Sequence, residues 1–193
     1  MVRWRQVMTI ALITFVLSIV FNLGSSSLLG IVPLVFSFGL LFFIVLIGIV
    51  FDVVGVAAAA GKESPFHAMA ANRIAGAKQA IWMLRNADKV ATYASDVVGD
   101  IAGTLSGAIG AAIVFRILIT QPSWNETFLT TLTIAMVAAV TVGGKAFGKT
   151  VAISKSTEIL YIAGRVLHML EPLGLHLERP SQGRNRPTNR KRT

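Results

Sequence analysis

Three aspartates and one lysine stand out because each lies within or beside a long apolar run. Asp52 follows one such run, Asp96 and Asp100 begin another, and Lys145 lies near the end of a third. A charged side chain in a membrane-length segment costs about 2.5–3.5 kcal/mol on insertion scales, so each is a candidate functional residue. Hard cations such as Mg²⁺ prefer oxygen ligands. These residues therefore indicate a divalent-cation site with Lys145 as its counter-ion.

Glycines recur at helical spacing around two of these aspartates. Asp96 and Asp100 are four residues apart, so they share one face of a helix. Gly99, Gly103 and Gly107 repeat at the same interval, and small residues let a second helix approach closely. We therefore expect this face to pack against a neighbouring helix.

Other glycines could interrupt the neighbouring helices. Discontinuous helices with free carbonyls are a common way to build ion sites at membrane depth. Glycines occur at 55, 143, 144 and 148, where they would permit breaks in the second and fourth apolar runs. Backbone carbonyls near Gly144 and Gly148 are therefore candidate metal ligands.

Purely structural roles explain the same charges. Asp96 could cap a helix, where a carboxylate meets the helix dipole favourably, and Asp52 could lie in the lipid headgroup region. Lys145 could bridge to Asp96 or Asp100 without binding any ligand. Catalysis is not expected, because the chain has no cysteine and both aspartates of the pair lie on one helix, unlike those of an aspartyl protease dyad.

Long apolar runs predict the elements that hold these residues. The chain of 193 residues is 54% hydrophobic and 14% charged, whereas a soluble domain carries about 25% charged residues. A helix needs about 20 apolar residues to cross a bilayer, and lipid excludes unpaired backbone. We predict an all-α membrane protein with about four transmembrane helices, at residues 7–23, 28–60, 95–119 and 129–142.

Polar segments separate and follow these spans. Residues 61–93 predict one or two amphipathic helices on the cytoplasmic face, and residues 155–170 predict another. Residues 173–193 are basic and polar, which is typical of a disordered tail. The first run, which follows Arg3 and Arg5, is interpreted as a retained span, with a cleaved secretory signal as the alternative.

The basic residues assign an orientation to the spans. The chain has 18 Lys and Arg against 9 Asp and Glu, a net charge of +9. With the amino terminus inside, outer loops near residues 24–28 and 120–127 contain no Lys or Arg, and Arg116 alone lies near the outer surface. Basic residues in short loops mark the cytoplasmic side. We expect a multi-pass protein of the cell membrane with both termini cytoplasmic, whose partner is the lipid bilayer and not nucleic acid.

From residue 40 to 172 the order of elements resembles the transmembrane domain of the CNNM/CorC family of magnesium transporters. Residues 51–57 are similar to that family's F-S-x-S-E-T-A motif, 95–100 to G-N-T-L-V-N and 144–149 to G-E-x-x-P-K, and residues 72–78 resemble the basic helix of its hairpin. The resemblance implies three spans, a cytoplasmic helical hairpin between the first two, an amphipathic helix after the third, Mg²⁺ as the ion and a homodimer.

Several positions depart from the family pattern. Gly55 and Lys145 stand where the family has glutamates, Asp52 replaces a serine, and Asp96 and Asp100 replace asparagines. The oxygen ligands are thus moved and made more acidic, while a fixed positive charge enters beside them. The family's regulatory CBS domains do not follow the spans in this sequence.

Three parts and two functions are predicted. The parts are an additional amino-terminal transmembrane anchor at 1–27, a CNNM/CorC-like transmembrane domain at 28–172 with a helical hairpin at 62–93, and the basic tail at 173–193. The leading hypothesis is a protein that binds or transports a divalent cation, Mg²⁺, at the inner ends of three helices. The rival is a non-transporting membrane scaffold or interaction protein. A direct salt bridge that fills the site would favour the scaffold, and a hydrated cavity lined by carboxylates would favour transport.

Overall fold

The described part of the chain consists of helices joined by short connections. The computed structural model describes residues 4–171, with side chains described except at residue 6 and residues 25–31. No strand occurs in this part, so the all-α prediction is confirmed for it. The helices are α1 Trp4–Ile31, α2 Leu34–Ala60, α3 Ser64–Ala71, α4 Ala77–Arg85, α5 Ala87–Ala91, a π-helix Thr92–Val98, α6 Gly99–Thr120, α7 Glu126–Ser154 and α8 Ser156–Leu170. The predicted tail at 173–193 lies outside the described residues.

Four helical segments are long and apolar enough to cross a membrane, as predicted. They are Val7–Gly24, Leu34–Ala60, Ala87–Thr120 and Glu126–Ser154. Many of their large apolar side chains point outward, among them Phe36, Phe42, Phe43, Met136 and Val142. Soluble proteins rarely expose apolar surface on this scale.

The first connection lies later in the chain than the sequence predicted. The expected loop near residues 24–28 is wrong, because α1 continues through this stretch and ends at Ile31, beyond the proposed anchor boundary at residue 27. Pro33 stops the helix instead. A residue that precedes proline disfavours the α conformation, and Pro33 itself has an extended ψ of 151° and acts as the N-cap of α2.

The expected helix breaks at glycines do not occur. The second apolar run forms one helix of 27 residues and the fourth forms one of 29, so the prediction of breaks near Gly55 and at 143–148 is wrong. A glycine in a helix interior costs about 0.5–1 kcal/mol relative to alanine, which close packing against a neighbouring helix can offset. The third run instead contains an irregular but uninterrupted segment, the π-helix between α5 and α6.

Helix α2 is the centre of the bundle, since it contacts α4, α5, the π-helix, α6, α7 and α8. Towards its start it packs on α6, around buried Leu105, Ile109 and Ile113. Towards its end it meets the short helices in a second core, which consists of Ala57, Ala58, Phe66, Ala80, Met83, Ala152 and Leu160. The end of the bundle where α2 finishes is therefore fixed by packing.

Helix α8 docks on α4 through two glycines and a polar cluster. Gly76, which precedes α4, has a φ of 88° and lies directly against Gly164 of α8. Gln79 is buried and its Nε2 donates to Glu171 Oε1 at 2.7 Å. The predicted amphipathic helix at 155–170 is thus confirmed as a helix and is held in place along its length.

Glu63 links α3 to α4 and predicts a dependence of stability on pH. Its Oε2 accepts hydrogen bonds from His67 and Arg85, at 3.0 and 3.2 Å. The bond from His67, supported by the Arg85 guanidinium, lowers the pKa of the Glu63 carboxyl below its usual value of 4.5 against a smaller opposing effect of burial. The stabilisation is therefore complete above pH 4.5 and is lost as pH falls through the lower pKa of the folded state.

We expect the melting temperature of the protein to fall with pH below 4.5, and the Glu63→Gln variant to lose that part of the dependence. Circular dichroism melts in detergent between pH 3 and 7 measure it. Glu158→Gln, which removes another exposed carboxylate, is the matched control and should melt as the wild type does. A Glu63→Gln profile that follows the wild type at every pH would contradict the prediction.

Candidate functional site

Two lysine–aspartate pairs lie between the three long helices that meet near the end of α2. Lys145 Nζ lies 3.7 Å from Asp100 Oδ1, which joins α7 to α6. Lys149 Nζ lies 3.9 Å from Asp52 Oδ2, which joins α7 to α2. The lysines are four residues apart, so they share one face of α7. We call these four side chains the paired-charge site.

Asp52 is the buried member of the paired-charge site. Its residue surface is only 4% exposed, and its Oδ2 has no hydrogen-bond partner among the described residues. The distance of 3.9 Å between this oxygen and Lys149 Nζ is too long for a hydrogen bond. A buried carboxylate oxygen without a donor is costly and calls for a ligand, a water or an ion. Asp52 is therefore the side chain of the paired-charge site whose hydrogen-bonding capacity is least satisfied.

The pair of Lys145 and Asp100 has a more exposed carboxylate than the pair of Lys149 and Asp52. The Asp100 side chain is 71% exposed and that of Lys145 is 21% exposed. Lys145 Nζ also donates to the Gly99 carbonyl oxygen at 3.3 Å. The ammonium thus occupies a position beside a backbone carbonyl and a carboxylate, both of which could bind a cation.

Asp96 lies apart from these pairs. It is exposed, and the described residues give its carboxylate neither a hydrogen bond nor an ion pair. It belongs to the π-helix, at whose end the Gly99 N–H bonds to the Ala94 carbonyl five residues earlier. π-helical turns are found frequently at functional sites. The predicted motif at 95–100 therefore coincides with the irregular segment of the third helix.

The π-helix is also attached to α2 beside Asp52. The Ser95 hydroxyl donates to the Asp52 carbonyl oxygen at 3.3 Å. A Cβ on Gly55 would collide with the same hydroxyl and lie 3.3 Å from Ala91 Cα. Gly55 thus permits the close approach that brings Ser95 to Asp52.

Gly144 and Gly148 serve close helix packing. A Cβ on Gly148 would lie 2.6 Å from Val53 Cγ2, and one on Gly144 would collide with Ile49. Because α7 is continuous there, their carbonyls lie in a regular helix and have only a second lone pair to offer a cation. The two glycines bring Lys145 and Lys149 towards α2.

The predicted glycine seam divides into two parts. Gly99 is buried, while the places that a Cβ would take on Gly103 and Gly107 are open, with no atom within 4 Å. Close packing of α6 on α2 is made by Gly48, where a Cβ would lie 2.8 Å from Ala102 Cβ. Gly103 and Gly107 are nonetheless half-buried, and α6 also contacts α1.

The sequence alone did not identify every residue that lies in or beside the paired-charge site. Lys149 was noticed only as part of a motif, although its spacing from Lys145 is a visible signal. Thr141, one turn earlier on the same face of α7, has a buried Oγ1 without a partner, and Ser95 and Gly48 gave no separate signal. Thr141, Lys145 and Lys149 thus form a polar stripe along one face of α7.

The described residues contain no group of three or more His, Cys, Asp or Glu side chains that could hold a metal ion. A cation at Asp52 would therefore take its other ligands from hydroxyls, carbonyls and water, which are ligands that Mg²⁺ accepts. No protein-family model, curated protein sequence or solved structure matches the chain.

Proposed function

We propose that the chain is an integral membrane protein that binds or transports a divalent cation, Mg²⁺, at Asp52. One observation carries the proposal, namely the buried Asp52 carboxylate whose Oδ2 lacks a hydrogen-bond partner among the described residues. A dication would supply the charge that this oxygen needs. The resemblance to the CNNM/CorC transmembrane domain supports the same choice of ion.

Membrane insertion is supported by the four long apolar helices, and the orientation by the basic residues. Both outer connections, at residues 32–33 and 121–125, lack Lys and Arg. Of the Lys and Arg residues in the described part of the chain, all except Arg116 lie towards the side where α1 begins. The proposed topology therefore places both termini, α3, α4 and α8 in the cytoplasm.

In this proposal the lysines are counter-ions that the cation displaces. Lys149 is half exposed and its ammonium makes no hydrogen bond to Asp52, so it can move away at little cost. Lys145 holds Asp100 and the Gly99 carbonyl, which keeps the α6 side of the site neutral when no cation is present. The exposed Asp96 would attract cations to the π-helix.

The second candidate function is a non-transporting membrane scaffold. The two lysine–aspartate pairs support it, because they neutralise the aspartates with charges of the chain itself. In that case the paired-charge site would join α2, α6 and α7 without any ligand. In either case, Gly103 and Gly107, where an added Cβ would meet no atom within 4 Å, are small residues that could pack against a helix of a second copy in a homodimer.

Flux measurements in proteoliposomes test the transport proposal. We expect Mg²⁺ influx into vesicles that contain the wild type to exceed that of protein-free vesicles, and the Asp96→Asn variant to reduce it several-fold, since that change removes an exposed charge beside the site. Glu126→Gln, at the opposite end of the bundle, is the matched control and should leave the flux unchanged. Wild-type flux equal to that of empty vesicles would exclude transport and favour the scaffold.

A further inference from the structure

A cavity outside the paired-charge site lies between the start of α1 and the helices that precede α6. Its volume is about 490 Å³, which is within the usual range for small-molecule sites of about 300–1,000 Å³. Polar side chains from both sides line it, namely Arg5, Thr9, Asp88, Lys89, Thr92 and Tyr93. We call it the α1–α5 cavity.

Two cationic side chains of the α1–α5 cavity have no partner among the described residues. Arg5 on one wall and Lys89 on the other are exposed, and neither forms an ion pair or side-chain hydrogen bond with any described residue. The Thr9 hydroxyl donates to the Arg5 carbonyl at 2.7 Å, so the hydroxyls of Thr92 and Tyr93 are the donors left for a ligand. Two cations and two hydroxyl donors form a set that suits a phosphate group.

The surroundings of the cavity favour a lipid over a soluble phosphate. Two apolar residues of α1 lie beside Arg5 and Thr9 on the helix surface. They are Met8 and Leu12, which are 68% and 64% exposed. In the proposed topology this place lies where the cytoplasmic headgroups begin. Basic pockets between helices on that side bind the headgroups of anionic lipids. Asp88, also in the lining, could accept hydrogen bonds from a polyol headgroup such as glycerol.

We propose that the α1–α5 cavity binds the phosphate of an anionic glycerophospholipid, with Arg5 and Lys89 on the phosphate and the acyl chains along α1. The inference rests on the proposed membrane insertion but not on cation binding. Because Thr92 and Tyr93 begin the π-helix that carries Asp96, the bound lipid would brace the segment that approaches Asp52.

Native mass spectrometry of the full chain in detergent, without Mg²⁺, tests the proposal. Phosphatidylglycerol, phosphatidylethanolamine and phosphatidylcholine are added separately at equal concentrations. We expect phosphatidylglycerol to bind most tightly. Its affinity should fall about fivefold in Arg5→Gln or Lys89→Gln and about 25-fold in the double variant. Lys62→Gln and Lys78→Gln, which remove exposed lysines outside the cavity, should bind as the wild type does.

Two results would overturn this assignment. One is unchanged phosphatidylglycerol binding by the Arg5→Gln/Lys89→Gln protein, and the other is displacement of the lipid by inorganic phosphate at an equal concentration. The charge-conserving Arg5→Lys/Lys89→Arg protein should retain the lipid, which separates loss of the site from loss of the fold. Since Mg²⁺ is absent throughout, failure of lipid binding would leave the result of the flux experiment unaffected.

Discussion

Asparagine in place of Asp52 is expected to abolish binding of Mg²⁺ while the fold survives. The substitution keeps the shape of the side chain and removes its charge at a position that is 4% exposed. A charge pair about 4 Å apart is worth roughly 4 kcal/mol at an effective dielectric constant of 20, so the affinity should fall by a factor on the order of 100 or more. The lost pair with Lys149, which is 53% exposed, contributes only about 0–1 kcal/mol to stability.

Thermal melts with and without Mg²⁺ measure this effect. A ligand at about 100 times its dissociation constant stabilises a protein by roughly 2.7 kcal/mol, and we expect such a shift for the wild type but not for Asp52→Asn. Lys149→Met is the matched variant, because it keeps the carboxylate and removes its resident cation. It should bind Mg²⁺ more tightly than the wild type, on the order of tenfold.

The scaffold hypothesis predicts the opposite result, namely that Mg²⁺ does not change the melting temperature. If the paired-charge site only joins helices, Mg²⁺ will shift none of the three proteins, and Lys149→Met will be the least stable because it leaves Asp52 buried and unpaired. An Asp52→Asn protein that Mg²⁺ still stabilises as fully as the wild type would refute the assignment of the cation to Asp52.

Alanine at Gly164 is expected to detach α8 from α4, with a loss of about 2–5 kcal/mol of stability. The new Cβ would collide with the Gly76 carbonyl oxygen and lie 3.1 Å from Ala80 N. These are backbone atoms, which cannot turn aside as a flexible side chain would. Overpacking costs about 1–3 kcal/mol, and loss of the docked face exposes apolar side chains such as the buried Leu160.

Gly143→Ala provides the matched control for this substitution. It also replaces a helical glycine, but no atom lies within 4 Å of its new Cβ, so it should be neutral or stabilising by about 0.5–1 kcal/mol. Limited proteolysis in the region of residues 155–171, together with thermal melts, reports the detachment. Gly164→Ala that resists proteolysis and melts as Gly143→Ala does would show that α8 is held by other contacts.

The long helices were predictable because lipid and helix lengths match. Runs of about 20 apolar residues gave four membrane-length helices, and helical spacing gave α8. The position of the first turn was not predictable from small residues, since glycine and serine at 24–30 are tolerated in an apolar helix, whereas Pro33 removes the α conformation from the residue before it. Proline interrupts a helix more strongly than glycine does. Tertiary packing decides whether a glycine interrupts a helix at all.

The sequence predicted which residues belong to the candidate site better than it predicted how they are arranged. The cost of burying charge identified Asp52, Asp100 and Lys145 as residues of interest. Which lysine pairs with which aspartate depends on how closely α7 approaches α2, and that distance is set by Gly144 and Gly148 against Ile49 and Val53. One amino-acid sequence by itself carries no signal for these helix–helix contacts or for the exposure of Asp96.

The π-helix lets the third long helix hold one residue more than a regular α-helix would. A π-turn holds more residues than an α-turn, and such turns occur mostly as single bulges in α-helices. Because the wide turn takes up the extra residue, loss of one codon between Thr92 and Val98 would restore a regular α-helix and leave Lys89 opposite Arg5 and Asp100 beside Lys145. Loss of one codon in the regular part of α6 would instead rotate the segments on either side by about 100° relative to each other. The π-helix is thus a place where this span can shorten by one residue without moving its charged side chains away from their surroundings.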